Sequence, residues 1–409
     1  MKVSDMFLNC EESYIYMERY VNNGSPSGYT QISTTSKDTN PFIGKDKFRL
    51  YKFKDEKYKQ NFYGPKNNLI FDNYTYAHPD SLNSEILKKF DIELEKADFF
   101  VKPTASSRTV LIVDEKIKGF LKLTYDVSKI GRCDRQISQL SALASYENSN
   151  FIKKSIDDNM LPYFFAILPE KSTKITMLEK NENKYEWGII YRDFNPYPPK
   201  NKEVVLVPTF SLFSKDYNNP ADECLINQFI ELSGISPQEY LTDIILKIVD
   251  CYWSLLITCG LSAEMHSQNC LVEINRKYCV NRIVLKDMED IDRDEHISRF
   301  FSINNNWLSK EYKNFDIVDS EYKYRTSYMY DFKVGEYLLC PLIDAVCLKY
   351  NFNPRYFYSV VKDYVRENFI NKIPKDYFFA GDIWYSRSID DNGMIGKKTY
   401  IKNLNPKFR

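Results

Sequence analysis

An α+β fold is predicted for this chain, on three observations. Residues 98–215 carry mainly short β-type apolar runs, whereas residues 216–409 carry mainly amphipathic helical ones. A long helical pattern, with Leu241, Ile244, Ile245, Ile248, Tyr252, Leu255 and Leu256 at helical spacing, feeds a polar turn and two β-type runs. With 409 residues, 43% hydrophobic and 15% aromatic, the chain is long enough and apolar enough for two or three cores. The expected division is an N-terminal portion over 1–97, a central β-rich portion over 98–215, and a C-terminal portion over 216–409 with a hairpin and a helical cap.

Ser4 to Val21 reads as a helix, and residues 22–47, rich in Gly, Ser, Thr, Asn and Pro, as loop. Short strands are expected over Phe48 to Tyr63. His78 precedes Pro79, which holds it extended. Ser84 to Ala97 is helical in pattern. Val110 to Val113 and Gly119 to Tyr125 form a hairpin around Asp114-Glu115-Lys116. Ile130 to Arg135 is expected to open a helix running to about Lys153, with Arg132 and Arg135 on its first turn. Cations are disfavoured there by the helix dipole, so the placement points to an anionic ligand. Tyr163 to Leu168, Lys174 to Leu178, Trp187 to Arg192 and Val204 to Val207 read as strands, and Pro196 to Pro199 as a stiff linker.

Ser236-Pro237-Gln238-Glu239 is a capping box with Pro at the first helical position, and Gly260 stops the helix it opens. Cys270 to Ile274 and Tyr278 to Leu285 form a second hairpin. The acidic run to Glu295 is expected to be solvated, His296 with it. Val334 to Tyr350 and Asn353 to Phe369 read as two helices, and Gly396 to Arg409 is basic.

The totals exclude some classes. Lys plus Arg and Asp plus Glu both number 56, so the formal net charge is zero, which argues against general nucleic-acid or membrane-surface binding. The most apolar segment, Tyr240 to Leu261, carries Asp243, Lys247 and Asp250 and does not read as a membrane span. Met1 to Tyr20 lacks the layout of a signal peptide. The nine cysteines show no metal-knuckle spacing and read as buried thiols, which places the expected protein in the cytoplasm.

Two stretches carry chemistry. At the mouth of the second hairpin stand Glu264, His266, Gln268 and Asn269, with Asp287 after its second strand; acids, an amide and an imidazole in one place can hold a divalent metal and a phosphate chain. Pro103-Thr104-Ala105-Ser106-Ser107-Arg108-Thr109 sets small hydroxyl residues before an Arg at a strand entrance. Such a segment can wrap an anion, with Lys122 on the return strand about one strand away.

The order of these stretches resembles the IucA/IucC family, the nonribosomal-peptide-synthetase-independent siderophore synthetases. The family's Pro-Thr-x-Ser-x-Arg-Thr is similar to Pro103 to Thr109, and its Glu-Ala-His-x-Gln-Asn to Glu264 to Asn269, with Met265 for Ala. Its Lys-Leu segment and following Arg element resemble Lys122-Leu123 through Arg135, its Arg-Glu strand end Arg192-Asp193, its Arg-Asp Lys286-Asp287, and its His-Pro motif His78-Pro79. The resemblance spans about Tyr76 to Asp290. The chain departs from the pattern in being shorter, in Gly131-Arg132 for Thr-Ser, and in Lys286 for Arg.

The resemblance implies an open-hand fold and an ATP- and Mg2+-dependent ligase. A carboxylic acid, citrate-like or another polycarboxylate or amino acid, would be adenylated and then joined to an amine or alcohol, in making a siderophore or a related natural product. Ser106, Arg108 and Lys122 would hold the triphosphate, and Gln268, Asn269 and Asp287 the nucleotide. Glu264, Asn269 and Asp287 would hold Mg2+. His266 and Arg135 would grip the reacting carboxylate, with Lys122 at the reacting phosphate and His78 and Thr104 near the acid. A homodimer is compatible with this reading. The rival readings are a small-molecule kinase, since His-x-x-Asn-x-Leu before an apolar strand ending in Asp also suits Mg-ATP, and a catalytically inactive ligand-binding relative.

Overall fold

The computed structural model of the chain describes residues 2–23, 37–66, 71–106, 108–114, 116–126, 136–199, 203–304, 326–375, 377–378, 383–389, 395–402 and 406–409. Helix α1, Cys10–Tyr20, is capped by Asn9, whose side chain accepts from the Glu12 N–H. An eight-stranded sheet follows, built from β1 (Phe48–Lys54), β2 (Lys59–Tyr63), β3 (Tyr74–Ala77), β4 (Glu95–Pro103), β5 (Thr109–Val113), β6 (Gly119–Leu123), β8 (Glu170–Lys180) and β9 (Asn183–Asp193), in the order β2-β8-β9-β6-β5-β4-β1-β3. A four-stranded sheet, β10-β11-β12-β7, comprises β7 (Phe165–Ile167), β10 (Val204–Pro208), β11 (Cys270–Asn275) and β12 (Val280–Leu285); only β7 runs parallel to its neighbour. Together with the helices these sheets make the predicted α+β class.

The large sheet curls until its edge strand β3 packs against β8 and β9. Trp187 Nε1 donates to Tyr76 O at 3.0 Å, Thr75 and Thr176 share a 2.5 Å hydroxyl contact, and Lys174 Nζ donates to Asp72 O and Tyr74 O at 3.1 and 3.0 Å. Lys174 and Asp55 form a fully buried ion pair in this seam. Such a pair is tolerable only because its members satisfy each other and their remaining hydrogen-bonding sites.

Strand alternation then directs charge. On β6, Leu121 and Leu123 enter the core under the large sheet, while Phe120 enters a second cluster with Tyr14, Leu111, Leu206, Leu271 and Val284. That second cluster joins α1, the large sheet and the four-stranded sheet. Lys122 shares the face of Phe120, and Arg192 pairs with Phe120 across the strands, so both cations point toward the junction.

The C-terminal portion is organised by the helix Pro237–Cys259. Ser236 accepts from Glu239 N as the capping box predicts, and Gly260 ends the helix at φ +67°, where an added Cβ would run into the Ser298 hydroxyl. Among the described residues no helix is long and apolar enough to cross a membrane.

Several local expectations are corrected. The helix expected over Ser84 to Ala97 stops at Lys89; Asp91 turns at φ +50° and the alternating stretch that follows enters β4, where Ala97 and Val101 are buried. The helix expected from Ile130 begins instead at Gln139, with Ser138 as its cap, and runs to Asp157; residues 127–135, with Arg132 and Arg135, lie outside the described residues. The acidic run is not solvated throughout: Asp294 is buried, caps Glu295–Phe300 through Ile297 N, and accepts from Tyr377 OH at 2.6 Å. The helix expected from Val334 starts earlier, as a π-helix over Tyr328–Leu339, and becomes α-helical at Cys340. Short helices at Thr209–Phe213 and Leu225–Ser233 went unread.

Removing one member of the seam's ion pair strands the other. Asp55→Ala should therefore cost about 3 kcal/mol or more in urea unfolding. A loss under about 1 kcal/mol would show that Lys174 finds water or another partner there.

Candidate functional site

The first hairpin pairs Thr109 with Lys122, and Leu123 N donates to Arg108 O at 2.9 Å, so Arg108 and Lys122 are neighbours as the spacing predicts. The turn before them is tied internally. Thr104 Oγ1 donates to Thr109 O at 2.7 Å and accepts from Ser106 N at 3.2 Å, so the Thr104 hydroxyl shapes the loop, while Ser106 remains half-buried at its edge. Ser107 lies outside the described residues.

The second hairpin pairs Cys270 with Leu285, and Lys286 N donates to Asn269 O at 2.9 Å. Asp287 follows at once, in the left-handed region at φ +73°. A non-glycine residue there is uncommon and clusters at functional sites. Its carboxylate meets Lys122 Nζ and, at 3.2 Å, Arg192 Nη2. Glu289 reaches the same Lys122 at 2.6 Å and Arg108 at 3.5 Å. Behind them Arg192 grips Glu170 Oε1 through Nε at 3.1 Å and Nη2 at 2.5 Å, and Glu170 also accepts from the Ser145 hydroxyl. Lys122 and Asp287, 165 residues apart, thus bring the two hairpins onto one buried charge cluster.

The electrostatics follow from pairing. Burial alone would raise the Asp287 carboxyl, but Lys122 and Arg192 outweigh it and hold the group well below the usual carboxylate range. Burial likewise opposes ionisation of Glu289, and Lys122 and Arg108 prevail. Glu170 goes the other way: burial raises it despite Arg192. Among the described residues no group of three or more His, Cys, Asp and Glu side chains is disposed to hold a metal ion. Two carboxylates converging on one ammonium, however, suit Mg2+ that arrives with phosphate oxygens, since such ions take only one or two protein carboxylates.

His266 sits in the turn leading into the second hairpin. Its Nδ1 accepts from Gln268 N–H at 3.2 Å, which leaves the ring proton on Nε2, 3.7 Å from Glu264 Oε2. Burial lowers its pKa to about 4, with Glu264 opposing, so the ring is neutral at pH 7. Glu264 is held by Lys333 Nζ at 2.5 Å, a residue delivered by the π-helix. Asn269 Nδ2 donates to Glu264 O at 3.2 Å. Glu264, His266 and Asn269 are therefore one unit, with Gln268 contributing its backbone.

His78 is also buried, packed on Phe48 at 5.4 Å and Tyr125 at 5.0 Å, and its Nδ1 accepts from Asp80 N at 3.2 Å. Burial lowers its pKa to about 4 against the pull of Asp80. It lies beyond the end of β6, beside Tyr125, whose hydroxyl donates to Asp80 at 2.5 Å. Arg135 is not among the described residues.

Sequence reasoning missed Glu18, Glu170, Glu289 and Lys333. Only Glu18 left a trace: it stands four residues after Tyr14 on α1, so both share a helix face.

No protein-family model matches the chain, and no curated protein matches it. Solved structures do. The petrobactin biosynthesis protein AsbB of Bacillus anthracis str. Sterne superposes with a TM-score of 0.73 at 16% identity, over 96% of this chain and 74% of that one. The chain has the fold of the siderophore synthetases. Aerobactin synthetase IucC of Klebsiella pneumoniae gives a TM-score of 0.64 at 15% identity, over 84% of this chain and 70% of that one. The ATP-bound aerobactin synthetase IucA of Klebsiella pneumoniae gives 0.64 at 12%, over 89% and 72%. Within this synthetase fold the two hairpins are the elements that bring Lys122 and Asp287 together.

Both buried imidazoles make stability depend on pH. Each has a folded pKa near 4 against an ordinary 6.5, so the unfolded chain binds more protons between those values. Their contribution is complete above pH 6.5 and is lost as pH falls toward 4. Urea unfolding at pH 7 and pH 5 should differ by about 2 kcal/mol less in His266→Gln, and likewise in His78→Gln, than in the unaltered protein. An unchanged pH slope in both variants would show that neither ring is held neutral.

Proposed function

We propose that this protein is an ATP-dependent ligase that activates a small carboxylic acid as its acyl-adenylate and passes the acyl group to an amine or alcohol. The observation that carries this reading is the buried cluster in which Arg108, Lys122 and Arg192 meet Asp287 and Glu289 at the junction of the two sheets. An anionic carboxylate must approach an anionic phosphate in such a reaction, so several cations have to neutralise both. The likeness in fold to siderophore synthetases, one of them ATP-bound, supports the same reading.

Arg108, Lys122 and the Ser106 edge of the loop would bind the triphosphate, displacing Lys122 and Arg108 from their carboxylate partners. Asp287, with Glu289 and Asn269 beside it, would hold Mg2+, while Glu264, expected as a further metal ligand, would stay paired with Lys333. The metal would supply charge neutralisation at the phosphates. A carboxylate oxygen of the acid attacks the α-phosphorus, the bond to the β-phosphate breaks, and pyrophosphate leaves. The amine nitrogen or alcohol oxygen then attacks the acyl carbon, loses its proton, and AMP departs. Neutral His266 would offer its Nε2–H to the charge developing on the acyl or phosphoryl oxygen, and Arg135 and His78 would face the acid. The expected partners are small molecules, with no nucleic acid or membrane, in a cytoplasmic enzyme that can pair as a homodimer; a siderophore or related natural product is the proposed end.

Chromatography of nucleotides after incubation with ATP, Mg2+, hydroxylamine and a panel of di- and tricarboxylic acids tests the reaction. AMP formed only with an acid is expected; ADP as the sole product would make the protein a kinase. Arg108→Ala should weaken ATP binding by about 2 kcal/mol in calorimetry, as for a lost charge-assisted contact. An unchanged affinity would remove Arg108 from the nucleotide site.

A further inference from the structure

The N-terminal helix reaches the back of this site through a single carboxylate. Glu18 is fully buried, near the C-terminal end of α1. Its Oε2 accepts from Ala105 N–H at 3.0 Å, and its Oε1 accepts from Lys286 Nζ at 2.9 Å and from Tyr14 OH at 2.5 Å. Lys286 also donates to Tyr14 OH at 3.1 Å. Ala105 belongs to the loop that precedes Arg108, and Lys286 is the residue before Asp287. One side chain therefore ties the anion-facing loop of the first hairpin to the acid-bearing end of the second. The Arg108–Glu289 pair also joins these segments, and a nucleotide would have to open it.

The helix is fixed independently of Glu18. Arg19, the next residue, donates through Nε to Pro41 O at 2.8 Å and through Nη2 to Gly44 O at 3.0 Å, and Nη1 pairs with Asp46 at 2.8 Å. Tyr14 and Ile15 pack into the junction cluster. Glu18 thus stands on a rigid support, the condition for holding two partners at fixed spacing. It also uses the charge of Lys286, which leaves Lys286 a structural cation at this position.

We propose that Glu18 is a positioning residue for the nucleotide: it fixes the 104–108 loop and the 286–289 segment relative to each other before ATP binds. The inference rests on the nucleotide reading of the site. Loss of the carboxylate leaves Lys286 buried without its counterion and, in a Gln, one acceptor oxygen where Lys286 and the Ala105 N–H need two, so the two anchors drift and ATP must order them.

Calorimetry of Mg-ATP binding tests this, because the stoichiometry reports the folded fraction separately from the affinity. Glu18→Gln should bind with a stoichiometry near one and an affinity lowered about tenfold, the scale for loss of a charged hydrogen bond. Lys286→Met, which keeps the Ala105 contact, should lose less. The double variant should lose less than the product of the two single losses, because both act through one pair. Affinities within about twofold of the unaltered protein, or losses that simply multiply, would overturn the proposal. If Glu18→Gln does not fold, Lys286→Met and Tyr14→Phe decide it: reduced affinity at full stoichiometry supports the proposal, and unchanged affinity in both overturns it. An unaltered protein that binds no ATP would sink the nucleotide reading and this inference together.

Discussion

The structure depends on mutual neutralisation of charges buried where the two sheets meet. Lys122, Arg108 and Arg192 arrive from the large sheet; Asp287 and Glu289 arrive from the segment after the second hairpin; Glu170 braces Arg192 from behind. Burying any one of these alone would be prohibitive, and together they are tolerable only in this mutual geometry. An ion pair of this kind is weak as a stabiliser but strict about position. The apolar cluster of Tyr14, Leu111, Phe120, Leu206, Leu271 and Val284 beside it supplies the driving force that brings the sheets together. The charges then fix how they meet.

The same arrangement gives the site its chemistry. On the proposed reading, the cations and carboxylates that satisfy each other here are the groups that phosphate and Mg2+ would separate. The left-handed backbone of Asp287 adds a local strain that the surrounding hairpin has to maintain. The second unit, Glu264 with His266, Asn269 and Lys333, is built alike, a carboxylate held by a lysine beside a neutral imidazole.

Much of this was legible in the sequence where periodicity is local. The first hairpin with Lys122 beside Arg108, the capped helix into Gly260 and the second hairpin all follow from alternation, capping residues and helical spacing. The α+β class and the siderophore-synthetase fold followed from the same stretches. The failures were also physical. Ser84 to Ala97 read as helix because Leu87, Lys88 and Lys89 start one, but Ile92 to Leu94 alternates with acids and prepares a strand. Asp294 looked solvated because a run of acids usually is, and only the fold brings Tyr377 onto it. Glu18, Glu170, Glu289 and Lys333 could not be read, since their importance comes from partners between 22 and 268 residues away. No local pattern encodes such distances.

The account's central claim is that the Lys122–Asp287 junction is where a nucleotide and its metal bind. A crystal structure with Mg2+ and a non-hydrolysable ATP analogue tests it most directly. The account predicts the phosphates between Arg108 and Lys122, with Lys122 moved off Asp287 and the metal on the freed carboxylate. A nucleotide bound elsewhere, with the Lys122–Asp287 pair still closed, would contradict it.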